Sequence, residues 1–222
     1  MGNIARPLAF IMLAAAILLS PGCAQVGAPA RNETASSARF ILPASDVSYY
    51  ARYTVEEGGP ATKEIWRAKG MMRIDLSSQG MRALSFFFVD SHAYSCSYAS
   101  SKPACYDVSG ALSQGDAQRL VPSENDAKGG TRLESVKIGS ANGNCYGVPI
   151  GMMGMRKLCF APQGVVAYDS YNVSKALLHT EYLTDIEYYE DGLGPDASVF
   201  ALPATPIPAP AVPEPAAPDF EE

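Results

Sequence analysis

Residues 47–56 alternate without a break: Val47, Tyr49, Ala51, Tyr53 and Val55 share one face, and Ser48, Tyr50, Arg52, Thr54 and Glu56 the other. A period of two with one apolar face predicts a half-buried β-strand. Gly58-Gly59-Pro60 turns the chain, and residues 62–68 predict a second strand, which bears Trp66. Lys69-Gly70 turns it again. Residues 71–76 make a third strand, with Met72, Ile74 and Leu76 facing one way and Met71, Arg73 and Asp75 the other. Residues 77–80 read as a loop and 81–89 as the fourth strand. Connections this short require antiparallel neighbours.

The stretch 84–108 sets the class of the protein. Phe86, Phe87 and Phe88 stand in a row, and a strand cannot turn all three to one side. Both faces of that strand must therefore be covered. Asp90-Ser91 turns the chain. Residues 92–98 then place His92, Tyr94, Cys96 and Tyr98 opposite Ala93, Ser95 and Ser97. A hairpin about Ser100-Ser101 brings Cys96 to Cys105.

Residues 110–130 break the alternation. Asp116 is placed to cap a short helix through Leu120, stopped by Pro122, and 124–130 reads as a loose polar stretch. Extended segments return at 131–138, 145–150, 155–160, 164–173 and 177–189. In the last and longest, Leu178, Thr180, Tyr182, Thr184, Ile186 and Tyr188 form an apolar-leaning face, with His179, Glu181, Asp185 and Glu187 on the wet one. Residues 199–203 close the domain. The expected fold is mainly β (α+β): a curved antiparallel meander or half-open barrel over residues 46–203, with one or two short helices.

The ends of the chain carry different signals. Residues 8–19 are an unbroken apolar run behind Arg6, too short to span a bilayer and suited to a signal-peptide core. Ser20-Pro21-Gly22-Cys23 follows. It resembles the lipobox of prokaryotic lipoproteins, although Ser20 stands where that pattern wants Leu, Val or Ile. The resemblance implies that residues 1–22 are removed and that Cys23 is lipidated, anchoring the protein to the outside of a cell membrane. Ordinary cleavage after Ala30 is the alternative. Residues 23–45 read as a flexible tether. Residues 204–222 are a Pro/Ala-rich tail, extended and acidic at its end.

Removing Cys23 from the five cysteines leaves Cys96, Cys105, Cys145 and Cys159. Each neighbouring pair brackets its own turn, so the expected disulfides are Cys96–Cys105 and Cys145–Cys159. No C-x-x-C spacing suggests zinc, and no metal or cofactor is expected. The formal charge is −6, and Arg6 is the one charged side chain before Cys23, so the processed chain carries −7. That balance argues against nucleic acid. Asn32 and Asn172 each begin a glycosylation sequon.

Catalysis finds no constellation. Asp90-Ser91-His92 are consecutive, and neighbours on a hairpin point apart, so they read as a turn and not as a triad. Asp185, Glu187, Glu190, Asp191 and Asp196 lack the spacing of a calcium loop and read as a solvated face. No enzyme is expected.

Four features together resemble the lipoprotein-localisation carriers of the LolA/LolB type: the strand opening at Val47, W-x-x-x-G at residues 66–70, M-R-I-D at 72–75 and F-A-L-P at 200–203. The resemblance implies an unclosed β-barrel that shelters acyl chains on its concave side. The apolar stripe of Val47, Tyr49, Tyr53, Trp66, Phe86 and Phe88 is the candidate lining. Two functions are expected on this basis. One is an envelope protein, anchored by lipid, that binds a lipid or acyl chain. The other is a non-enzymatic structural or protein-interaction module whose partner is unknown.

Overall fold

The computed structural model describes residues 47–56, 60–112, 120–138, 141–151, 154–173, 176–190 and 194–209. Its strands are β1 (Ser48–Glu56), β2 (Pro60–Ala68), β3 (Met71–Ser78), β4 (Met81–Val89), β5 (His92–Ser97), β6 (Ala104–Asp107), β7 (Thr131–Ile138), β8 (Ala141–Ile150), β9 (Gly154–Phe160), β10 (Val166–Val173), β11 (Ala176–Tyr189) and β12 (Ile207–Pro208). All belong to one open, curved sheet ordered β12-β6-β5-β4-β3-β2-β1-β11-β10-β9-β8-β7. Every pairing is antiparallel except the two-residue contact of β12 with β6.

That order is two meanders set side by side. β1 to β6 run outward from the middle of the sheet, β7 to β11 run back inward from the far edge, and β1 pairs with β11. Hairpins this tight need turns whose twist matches the strands. Asp90 and Ser91 supply one with φ of 52° and 65°, and Gln79-Gly80 another with 53° and 76°. β3 thus runs to Ser78, and the expected loop at 77–80 shrinks to two residues.

β6 and β7 lie at opposite ends of the sheet, and the described residues between them, on both sides of 113–119, lie against the inner face. Val108, Leu112, Leu120 and Val121 pack there against a core of Tyr49, Ala51, Tyr53, Ile65, Met72, Ile74, Phe86, Phe88, Ala93 and Val165. The expected helix at 116–120 lies outside the described residues except for Leu120. Residues 124–130 are not loose. Ser123 donates from its backbone N (2.6 Å) and its Oγ (2.7 Å) to Asp126 Oδ2, which fixes a 3₁₀ turn, Glu124–Ala127, and buries Ala127.

The outer face is closed by the C-terminal segment. A 3₁₀ turn, Ala197–Phe200, is capped by Asp196 and buries Phe200. Arg73 Nη1 donates to Val199 O at 2.8 Å, and Leu202 and Ala204 pack on Phe87 and the Cys96–Cys105 disulfide. The segment then runs past Pro203, so that Ile207 and Pro208 pair with Tyr106 and Asp107. This answers the three phenylalanines: Phe86 and Phe88 point inward, and Phe87 points outward under the closing segment.

Both expected disulfides form, each between directly opposed residues of neighbouring strands: Cys96–Cys105 across β5 and β6, and Cys145–Cys159 across β8 and β9. Their loops span 9 and 14 residues. Closures of that size stabilise by about 3 kcal/mol each.

One strand departs from its sequence pattern. Arg52 pairs with Asp185 and Tyr53 with Leu183, which leaves Thr184 as an extra residue of β11. Thr184 Oγ1 donates to Arg52 O at 3.0 Å and holds this bulge. A bulge changes which alternate residues face inward. Beyond it Ile186 and Tyr188 share the inner face, and before it Leu183, Glu181 and His179 do. The wet face expected for residues 177–189 is therefore corrected: Asp185 and Glu187 are exposed, whereas Glu181 is buried and His179 half-buried.

Candidate functional site: the inner face and its buried charges

The pleat arranges the inner face in rungs. Tyr49, Arg67, Met72, Phe88 and Ala93 lie across β1 to β5, with Ala51, Ile65, Ile74, Phe86 and Ser95 as the next rung and Tyr53, Lys63, Leu76, Leu84 and Ser97 after it. The candidate lining residues Tyr49, Tyr53, Phe86 and Phe88 are 6%, 1%, 3% and 1% exposed. Val47 is half-buried and packs on the same cluster. Burial pushes the Tyr49 hydroxyl up to about 12, against a smaller lowering by Arg67, and the fully enclosed Tyr53 is raised as well. Burial also lowers the Arg67 guanidinium, whose Nη1 lies 3.3 Å from Met72 Sδ.

Trp66 stands apart from the other five. It pairs with Tyr50 and Arg73 and so points to the outer face. Its ring centroid is 5.2 Å from that of Tyr50, and the Arg73 guanidinium lies 5.0 Å over it. Arg73 in turn binds Asp75 through Nε (2.9 Å) and Nη2 (2.7 Å). Arg82 (2.8 Å) and Ser85 (2.6 Å) complete the shell of that fully buried carboxylate. The M-R-I-D stretch thus divides its work. Met72 and Ile74 fill the core, while Arg73 and Asp75 build an outer network that holds the closing segment.

The second half of the inner face sets an ion network beside a smaller apolar cluster of Ala127, Leu158, Phe160 and Val166. Lys63 Nζ donates to both oxygens of Glu181, at 2.7 and 2.9 Å, and sits 5.2 Å over the Tyr53 ring. Arg156 grips Asp169 with two bonds of 2.9 and 2.6 Å. His179 stacks on Tyr171, with centroids 5.1 Å apart, and brings Nε2 to 3.6 Å from Glu181. Burial raises the Glu181 carboxyl, but Lys63 and His179 together outweigh it and hold it at about 2. Lys63, Asp169 and Glu181 are all buried.

Asp169, His179 and Glu181 place donor atoms within 4.8 Å of one another, a spacing that can suit a divalent cation. Their oxygens already have other partners. Lys63 occupies both oxygens of Glu181, and Arg156 both of Asp169. A metal would have to displace two internal cations, so the cluster reads as a self-neutralised ion network. His179 and Glu181 reach it only through the bulge, which alternation along residues 177–189 does not reveal.

His92 and Asp107 form an exposed pair at 3.5 Å on the outer face. Asp90 and Ser91 are spent in the turn, so no triad assembles there. Asn172 is exposed on β10, while Cys23 and Asn32 lie outside the described residues.

No family model matches this chain, and no curated protein matches it. Among solved structures it is similar to the crystal structure of MucB, with a TM-score of 0.50 and 14% identity, covering 76% of this chain and 59% of that one. The complex structure of Pseudomonas aeruginosa MucA/MucB aligns with a TM-score of 0.49 and 14% identity, covering 75% and 57%. A conserved protein from Thermus thermophilus aligns at 0.46 and 5% identity, covering 64% and 78%. The likeness is one of fold. This chain spans 59% of the length of the MucB structure. The two disulfides add the compartment, since such bonds persist where thiols are oxidised, and this is an extracytoplasmic β-sheet protein.

Proposed function

We propose that this chain is a non-catalytic, extracytoplasmic protein-interaction module, tethered to a membrane by lipid on Cys23. The observation that carries this reading is the state of the inner face. Its apolar stripe is covered by the chain's own Val108, Leu112, Leu120 and Val121. A role like that of the LolA/LolB carriers would require an acyl chain to displace those side chains from Phe86 and Phe88. The surface left for recognition is the sheet margin. β7 is the end strand of the sheet, and Thr131 to Ser135 within it are exposed. An end strand offers backbone donors and acceptors to a partner's strand.

Two measurements test the reading. Native mass spectrometry of the purified protein is expected to show no lipid beyond the covalent one on Cys23, and titration with a fluorescent fatty acid no saturable uptake. A stoichiometric non-covalent lipid would overturn the module in favour of a carrier. A photo-crosslinker at Glu134 is expected to give one discrete protein adduct in cells. For the anchor, Cys23→Ser is expected to move the protein from the membrane to the soluble fraction, and an unchanged distribution would remove the tether from the reading.

A further inference from the structure

Most surface apolar side chains on a protein are scattered singly. Here four gather at the ends of two neighbouring hairpins. Ile150 and Met155 flank the β8–β9 connection at 40% and 46% exposure, and Leu177 and Leu178 open β11 at 65% and 46%. The register makes them neighbours. Ile150 pairs with Gly154, which pairs with Val173, which pairs with Ala176. One rung further in, Met155 pairs with Asn172, and Asn172 with Leu177. No charged side chain stands on these rungs, and the connection that joins Val173 to Ala176 carries Lys175.

We propose that this tip is a membrane-contact surface that dips into the headgroup region of a bilayer, a second attachment beside the lipid on Cys23. The proposal uses the tether of the functional reading but is tested apart from it. Three observations select a bilayer as the occupant. The apolar groups stand at strand ends, where a tip can enter an interface while the pairing behind it stays intact. The chain has formal charge −6 and places Glu187 and Glu190 at the opposite end of β11, so an apolar tip is the end best suited to a lipid surface. The tether is also long enough. β1 begins at the end of the sheet opposite the tip, and the 14 residues of β11 span about 48 Å. Residues 24–46 reach about 80 Å when extended, so an anchored domain can turn its tip to the same membrane.

The test is co-sedimentation with egg phosphatidylcholine vesicles, using the exported protein with Cys23→Ser so that the lipid anchor does not contribute. Cys23→Ser alone is expected to bind. Adding Met155→Ser and Leu177→Ser is expected to lower the partition coefficient about tenfold, with unchanged circular dichroism and no dependence on salt. In a separate variant, Leu177→Trp is expected to be quenched by bromine-labelled phosphatidylcholine, a readout that holds even if the serine pair folds poorly. No vesicle binding by Cys23→Ser, equal binding by the serine variant, or an unquenched indole in the Leu177→Trp variant overturns the proposal. A dimer that the same substitutions dissociate overturns it in favour of a second copy of this chain. If wild-type protein lacks the mass of a lipid on Cys23 while the vesicle results hold, the anchor fails and the tip stands.

Discussion

The inner face is buried by two opposite means: apolar packing, which extends from β1–β5 to Leu158, Phe160 and Val166, and an ion network centred on Glu181 and Asp169. Around Phe86 and Phe88 the contacts are apolar and non-directional, and the cover is chain from between β6 and β7. Around Glu181 and Asp169 each carboxylate is held by two bonds from one cation. An apolar core loses energy in proportion to what is trimmed from it. A buried ion network fails out of proportion, because removing one member leaves another charged and unpaired. The two should therefore respond very differently to substitutions of similar size.

The sharpest break is at the seam between them. Deleting Thr184 removes the bulge, so β11 can keep either Ile186 and Tyr188 or Glu181 and His179 on the inner face, but not both. The expected result is loss of cooperative unfolding, a cost comparable with the 5 to 15 kcal/mol, in order of magnitude, of a whole domain. Urea denaturation followed by near-ultraviolet circular dichroism reads it, and a normal transition would show that the bulge is dispensable. Next comes Lys63→Met, which keeps most of the volume and leaves Glu181 without its main partner. It should destabilise by about 4 kcal/mol. Adding Glu181→Leu should restore most of that loss, and a double variant no better than the single would show that the cost lies in packing.

The first meander was legible in the sequence because each strand there alternates and each turn is short. Val47 to Val55, Met72 to Leu76 and the cysteine pairs all report their faces directly. The ion network was not legible. Glu181 and His179 look like solvent residues in a strand read with a period of two, and a threonine carries no signal of a bulge. Trp66 misled for another reason: an aromatic in a strand suits either face, and only its rung with Tyr50 and Arg73 assigns it outward. Residues 199–203 read as closing the domain, but the continuation through Ala204 to the pairing of Ile207 and Pro208 was hidden, because proline from residue 203 onward suggested a tail and not a strap.

Acid provides a graded version of the Lys63 experiment. Glu181 sits at about 2 in the folded chain, below its ordinary 4.5. The unfolded chain therefore takes up its proton first as pH falls. The stabilisation from this group is complete above pH 4.5, declines through the window between the two values and is gone below about 2. Its full size is about 3 kcal/mol. Urea midpoints measured across that window should fall in the wild type. The decline should be shallower in the Lys63→Met, Glu181→Leu double variant, and equal slopes would place the acid sensitivity elsewhere.

The smallest expected effect is in the apolar packing, and it also bears on function. Phe88→Leu keeps the site apolar and removes part of one ring from a side chain that is 1% exposed. Met72 and Ala93 are its rung neighbours, and the unbranched Met72 can shift to fill part of the space. The expected cost is about 1 kcal/mol, well below that of Lys63→Met, and thermal unfolding measures it. The same variant opens room beneath the covering segment. If the inner face is a filled core, neither wild type nor Phe88→Leu takes up a fluorescent fatty acid. Saturable uptake by wild type that the substitution weakens would mean that Leu112, Leu120 and Val121 are displaced by ligand, and that part of the inner face would then be a binding site as well as a core.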